Sequence, residues 1–166
     1  GSGMSRGARA GAFLSRRAKG HVRFGTLVYI AARGADGALR ALADYEMARN
    51  FPGDPKGQER HLWFLAQVIA RQAGLIARWM NVGFIHGVMN TDNMSVCGET
   101  IDYGPCAFMD AFNPQQAFSS IDAHGRYAWD KQPAIALWHL PLLAEAVLPL
   151  FDESRERALE LAQAEM

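Results

Sequence analysis

The chain has few of the features that assign a protein to a class by composition alone. It has only two cysteines, Cys97 and Cys106, and their spacing fits neither a zinc site nor a Cys-x-x-Cys redox pair. It has no run of about 18 apolar residues, so we expect no membrane partner. An Arg-rich start without an apolar stretch behind it predicts no signal peptide. The first three residues, 1–3, are interpreted as the remnant of an expression tag.

Neither sign of charge is in excess over the whole chain, but the charged residues are unevenly distributed. The net charge of the 166 residues is zero, and 49% of them are hydrophobic, which predicts one globular domain. Residues 1–40 have eight Lys and Arg against one acidic residue, whereas the remainder has nine against 16. We expect residues 4–38 to form a basic N-terminal arm; such arms often contact phosphates, and we expect no nucleic-acid partner. A solvated face and a transit-like leader are the alternatives.

Apolar periodicity predicts a mainly α (α+β) fold. The clearest helix spans 58–82, and its apolar face is broad enough to run through the core, with Gly83 as its stop. Within it we expect Ile69 on the buried face and Arg71 on the solvent face. Four further helices are predicted at 20–33, from Leu39 to Phe51, from Pro133 with a kink or break at Pro141, and at 153–165. For 20–33 a strand is the alternative, because of its β-branched residues.

Residues 84–110 contain the most chemically informative pattern. Asp92 and Asn93 lie in a polar loop after an apolar approach, and Asp102 follows nine positions after Asn93. Carboxylate and carboxamide oxygens suit a hard cation such as Mg²⁺, or Mn²⁺, which proteins share with substrate phosphates. Short apolar segments at 94–97 and 100–102 around Gly98 predict a β-hairpin that returns Asp102 to the side of Asn93.

The same loop has the spacing of a kinase catalytic loop with one displacement. In kinases the metal-binding Asn follows the loop His by seven residues, as Asn93 follows His86 here. Val88 occupies the position of the kinase catalytic Asp and cannot accept a proton. Asp92 is the only carboxylate in the loop, which argues against an ordinary protein kinase.

At these residues the chain resembles the selenoprotein O (SelO) family, whose members have a kinase fold. The resemblance rests on His-Gly-Val-Met-Asn-Thr-Asp-Asn-Met-Ser at 86–95 and Asp-Tyr-Gly-Pro at 102–105. Further agreement is found at 42–45, 125–127 and 132–138. The resemblance implies a protein-kinase-like C-terminal lobe over 39–166, helical with a short β-hairpin at the metal site. Its parts would be a catalytic loop at 84–93, the hairpin at 94–102 and an activation-segment-like loop at 103–131.

The resemblance also implies an activity and roles for particular residues. SelO-like proteins transfer AMP from ATP to the Ser, Thr or Tyr hydroxyls of protein substrates. By this resemblance Asp92 is the catalytic base, Asn93 and Asp102 bind the metal, and Arg16 and Arg23 contact the nucleotide together with Asp102. We expect a bacterial cytoplasmic protein, with a mitochondrial-type location as the alternative.

The sequence lacks other parts that a complete kinase-fold enzyme needs. It has no Gly-x-Gly phosphate loop, no strand with a phosphate-binding Lys and no helix with the partner Glu. We therefore expect a truncated core without the N-terminal lobe, inactive or weak by itself. Two alternatives stay open: a phosphotransferase with a displaced base, and a non-catalytic module that binds nucleotide or protein.

Overall fold

A computed structural model describes residues 15, 17–53, 55, 57, 59–152 and 155–165. The prediction of a mainly helical fold is confirmed for these residues. They form five α-helices and one two-stranded antiparallel sheet: α1 (Phe24–Ala31), α2 (Asp36–Asn50), α3 (Arg60–Asn81), β1 (Phe84–Ile85), β2 (Ala107–Phe108), α4 (Gln132–Val147) and α5 (Arg155–Glu165).

Helix α3 is the central element of the core, as its broad apolar face predicts. Phe64, Leu65 and Val68 are at most 1% exposed, and the helix packs against both α4 and α5. The helix ends before Gly83, which has a φ of +67° that a residue with a side chain rarely adopts. The end of α3 therefore leads directly into β1 and the polar loop behind it.

The outward orientation expected for Arg71 is wrong. Its guanidinium donates to the Asn50 carbonyl at 2.6 Å and lies 3.8 Å from the centre of the Phe51 ring. Ile69 is only partly buried and packs against the core. Arg71 therefore fastens α3 to the end of α2, because a long side chain can pack its aliphatic part while its charge satisfies a carbonyl.

The first two helices agree with the predicted segments. Helix α1 lies within 20–33, and its Phe24 and Leu27 are fully buried. The end of the predicted arm at 4–38 thus packs into the core. Helix α2 begins at Asp36, slightly before the predicted Leu39, and ends at Asn50, just before the Pro-Gly pair at 52–53.

The predicted hairpin at 94–102 is wrong in its pairing. Only one isolated bridge, Met94 to Thr100, joins its two halves, and the sheet of the described residues instead pairs β1 with β2. Residues 94–96 pair with the arm, because Ser95 bridges Arg23 and the Val96 N–H donates to the Val22 carbonyl at 2.9 Å. The chain does reverse at Gly98, whose φ is +74°.

Helix α4 holds the backbone of the loop at 84–93 through side-chain hydrogen bonds. It begins with Gln132 and Pro133 and continues through Pro141, so the break considered there does not occur. The Gln132 side chain donates to the Phe84 carbonyl at 2.9 Å and accepts from the His86 N–H at 3.0 Å. The His139 Nε2 donates to the Met89 carbonyl at 2.7 Å. These buried contacts fix both ends of the loop backbone to one helix.

The stretch Trp129–Leu150 is apolar and long enough to cross a membrane by length and composition. It has 22 residues and a mean hydropathy of 1.5 in its most apolar window. Half of that window is buried inside the fold, as in a core helix of a soluble domain. The finding is therefore weak support for a membrane span.

Candidate active site

His86 holds the polar loop in place and is fully buried. Its Nε2 donates to the Ile101 carbonyl at 2.7 Å, so Nδ1 is the acceptor in the neutral ring and receives the Val88 N–H at 3.4 Å. Burial lowers the pKa of His86 below 6.5, although the Ile101 carbonyl and the charge of Asp102 oppose this effect. A neutral His86 thus joins the loop to the residue before Asp102, which is a structural role.

Asp92 and Asn93 lie in a short 3₁₀ turn, Thr91–Asn93. The Asn90 side chain begins this turn by accepting the Asp92 N–H at 3.1 Å. The Asn93 Nδ2 donates to the Val88 carbonyl at 2.9 Å, which fixes the carboxamide. Its Oδ1 has no hydrogen-bond donor among the residues that the structure describes. The turn therefore presents one carboxylate and one free carboxamide oxygen.

The carboxylate of Asp92 lies against the first turn of α1. A Cβ added to Gly25 would lie 2.0 Å from Asp92 Oδ1, closer than any real contact. Gly25 thus leaves the space that the carboxylate occupies. The N-terminal end of a helix bears a partial positive charge that favours an ionised carboxylate beside it.

Asp102 has an unusual backbone and an ion pair. Its φ is +55°, the only positive φ of a residue other than Gly among those described. Its Oδ2 lies 2.9 Å from Nη2 of Arg23, with both side chains about 40% exposed. Oδ2 itself is buried and accepts no hydrogen bond of good geometry, so the contact with Arg23 is electrostatic.

The arm brings Arg23 to this carboxylate by backbone pairing. Arg23 bridges Ser95, and the next residue, Phe24, donates its N–H to the Met94 carbonyl at 3.0 Å. The Arg23 N–H donates to Thr26 Oγ1 at 3.4 Å, where α1 begins. Because the backbone on both sides of Arg23 is fixed, its side chain reaches Asp102 from a defined position.

Of the five predicted site residues, Arg23 and Asp102 contact one another, and Asp92 and Asn93 lie in the turn directly before the Met94–Thr100 bridge. Asn93 directly precedes the Met94–Thr100 bridge and Asp102 follows it by two residues, while Arg23 and Asp92 approach from the α1 side. Arg16 lies outside the described residues.

The donor set fits a hard divalent cation. Asn93 supplies a carboxamide oxygen, since its bond to Val88 uses only Nδ2, and Asp102 supplies a carboxylate whose Oδ2 lies 2.9 Å from Nη2 of Arg23. Among the described residues no group of three His, Cys, Asp or Glu side chains could hold a metal. Two protein oxygens are nevertheless usual for Mg²⁺, which keeps waters and substrate phosphates as its other ligands.

A cleft of about 800 Å³ adjoins Asp102, and besides Arg23 it is lined by residues that the sequence did not single out for this role. Its basic side chains are Arg17, His21, Arg23 and Arg78. The concentration of Lys and Arg at 1–40 indicated Arg17 and Arg23 as part of a basic group, but not His21. Arg78 shows no distinguishing pattern, since a basic residue in the last turn of a helix is common.

The chain is similar in sequence to known proteins over most of its length. The model of the family "Protein adenylyltransferase SelO" matches residues 2–164. A relative from Geobacillus kaustophilus, "Protein nucleotidyltransferase YdiU", is 57% identical over 92% of this chain and 32% of its own length. A protein of the same name from Bradyrhizobium diazoefficiens is 60% identical over 92% of this chain and 31% of its own. The chain thus spans about a third of these relatives, and it belongs to the SelO family of protein adenylyltransferases.

Proposed function

We propose that this chain is the part of an enzyme that contains the catalytic loop, and that this enzyme transfers AMP from ATP to Ser, Thr or Tyr hydroxyls of protein substrates. The observation that supports it most is the contact of Arg23 with Asp102 next to the turn that carries Asp92 and Asn93, since backbone bridges join these segments. Phosphoryl and nucleotidyl transfer use a base, oxygen ligands for a metal ion and a cationic side chain near the phosphates.

Asp92 is the proposed general base. It is exposed, so an acceptor hydroxyl can reach it, and no other carboxylate lies in the loop at 84–93. The carboxylate would take the proton of the hydroxyl as its oxygen attacks the α-phosphorus of ATP, and pyrophosphate would leave. Gly25 keeps the carboxylate at the start of α1, where no side chain displaces it.

Asn93 and Asp102 are the proposed ligands of Mg²⁺ or Mn²⁺, and Arg23 the proposed contact of the nucleotide. A bound cation would offset charge on the phosphates. Arg23 lies beside Asp102 already, so its guanidinium can face both the carboxylate and a phosphate. A nucleotide role for Arg16 is proposed on the family resemblance alone.

The proposed architecture is a protein-kinase-like C-terminal lobe over 39–166. Helix α3 delivers the chain to the loop at 84–93, and the largely irregular segment 103–131 follows Asp102 before α4 begins. Buried contacts from α4 to the loop backbone support this arrangement. A separate N-terminal lobe would clamp the far side of the phosphates.

Mass spectrometry of a protein substrate tests the reaction, using a family member of full length that has these residues. AMP transfer adds an adenylyl group to a hydroxyl, whereas phosphotransfer adds only a phosphoryl group. We expect the adenylyl mass, and about 10²–10⁴ less of it with Asp92→Ala at unchanged nucleotide affinity. A phosphoryl mass would favour a phosphotransferase, and full activity of Asp92→Ala would remove Asp92 as the base.

A further inference from the structure

Helix α4 exposes a tryptophan on the face turned away from the core. The side chain of Trp138 is 56% exposed. Its neighbour Leu137 is 62% exposed. Large apolar side chains exposed side by side often mark a binding surface.

A cation is stacked on this tryptophan. The guanidinium carbon of Arg126 lies 5.2 Å from the centre of the Trp138 ring and 5.8 Å from that of Tyr127. No carboxylate of the described residues forms an ion pair with Arg126. The aromatic rings restrict the guanidinium without neutralising it, so its N–H donors remain available to an anion.

Asp122, one of the two acidic residues four positions from Arg126, is already used by the backbone. Asp122 accepts the N–H groups of Arg126 and Tyr127, each at 2.8 Å. Burial acts to raise the pKa of Asp122, but these donors, that of His124 and the charge of Lys131 outweigh it and lower the pKa. The carboxylate thus shapes the turn that presents Arg126.

The surface adjoins the proposed catalytic loop. The ring of Trp138 lies 4.9 Å from that of His139, and His139 donates to the Met89 carbonyl at 2.7 Å. Met89 precedes Asp92 by three residues. A segment bound at Trp138 would therefore contact the helix that holds the loop backbone at Met89.

We propose that Arg126, Tyr127, Leu137 and Trp138 form a docking platform for an acidic segment of the protein that accepts the nucleotidyl group. This inference rests on the proposed function. The guanidinium fork suits a carboxylate, which it can bind through two parallel hydrogen bonds. Leu137 and the ring of Trp138 suit an apolar side chain next to that carboxylate. This pairing of charge and apolar area favours a peptide over a nucleic acid.

Peptide binding to the 166-residue chain without nucleotide tests the docking platform. The probe is a fluorescein-labelled peptide with one serine, one leucine and acidic residues on both sides, followed by fluorescence anisotropy. The comparison peptide has lysine at every acidic position. We expect the acidic peptide to bind at least about tenfold more tightly, with an affinity that falls as salt is added.

Variants locate the binding on the surface. Arg126→Gln should weaken the acidic peptide by about threefold to fivefold, because Arg126 is exposed, and Trp138→Ala should weaken it as well. Arg33→Gln is the matched control, since Arg33 lies 3.6 Å from the ring centre of Tyr29 on α1 and belongs to no proposed site. Circular dichroism establishes that each variant is folded.

Three results would overturn the docking platform: equal binding of both peptides, equal losses in Arg126→Gln and Arg33→Gln, or tighter binding of a single-stranded oligonucleotide than of the acidic peptide. Titration with Mg²⁺ and ATP is performed separately on the same variants. Absence of acidic-peptide binding to the unchanged chain, with intact nucleotide binding, contradicts the platform alone. Peptide binding without nucleotide binding contradicts the proposed function alone.

Discussion

Asp102 has a backbone conformation that L residues adopt at a cost of about 1–2 kcal/mol, with Asp and Asn among the more tolerant. Its neighbours maintain this conformation: His86 binds the preceding carbonyl, and Arg23 pairs with the carboxylate. The sequence identified Asp102, Asp92 and Asn93 because oxygen ligands and their spacing are visible in it. It could not show the φ of +55°, which depends on contacts with distant segments.

Gly25 was not predicted from the sequence, because its importance comes from a contact 67 positions away in the chain. Gly25→Ala should favour helix α1 by propensity, by about 1 kcal/mol, yet place a Cβ where Asp92 Oδ1 lies. We expect transfer by a full-length family member to fall roughly 10²–10⁴-fold, as with loss of the base, while the melting temperature changes little. Gly37→Ala in α2, with nothing within 4 Å, is the control and should retain activity. Normal activity of Gly25→Ala would mean that the position of Asp92 is unimportant.

His139 should make the free energy of unfolding depend on pH. Burial lowers the pKa of His139 below 6.5, helped by the charge of Arg126 and opposed by the Met89 carbonyl. Since the unfolded state takes up the proton first, the stabilisation is present above about pH 6.5 and is lost as pH falls through the folded-state pKa. Urea unfolding between pH 8 and pH 5 should show a smaller decline in His139→Gln than in the unchanged chain. The exposed His124→Gln is the control, and an equal decline in all three proteins would contradict the assignment.

At the scale of elements, periodicity predicted the helices well and the sheet poorly. The buried face of α3 follows from apolar residues every three or four positions, which is a local property. Strands of two residues give no such signal, and the pairing of Phe84 with Phe108 joins positions distant in sequence. The hairpin at 94–102 was predicted from a local turn, but the arm at 22–24 competes for the same backbone groups.

Helix α3 should be sensitive at two positions for different reasons. Leu65→Ala removes a side chain that is 1% exposed and should cost about 2–5 kcal/mol of unfolding free energy. Arg71→Ala loses the bond to Asn50 and the contact with Phe51, and should cost about 1–3 kcal/mol. Arg40→Ala on the exposed side of α2 should cost almost nothing. Urea denaturation measures all three, and equal values for Arg71→Ala and Arg40→Ala would show that Arg71 does not anchor the helix.

For the molecule as a whole, the uneven charge of the sequence has a structural counterpart. The arm places Arg17, His21 and Arg23 along one cleft beside Asp102, so its positive charge faces the proposed phosphate site. The sequence predicted this charge but not the cleft, which also needs α3 and residues 98–103. Contacts between the arm and the loop, which are distant in sequence, therefore determine the geometry of the site.

Calorimetric titration of the 166-residue chain with ATP, with and without Mg²⁺, tests the central claim most directly. The comparison is Asp102→Asn, which removes the charge while retaining a residue that tolerates a positive φ. We predict binding that requires Mg²⁺ and that weakens roughly tenfold or more in Asp102→Asn, with unchanged circular dichroism. Binding independent of Mg²⁺, or equal in the two proteins, would contradict the assignment of this site.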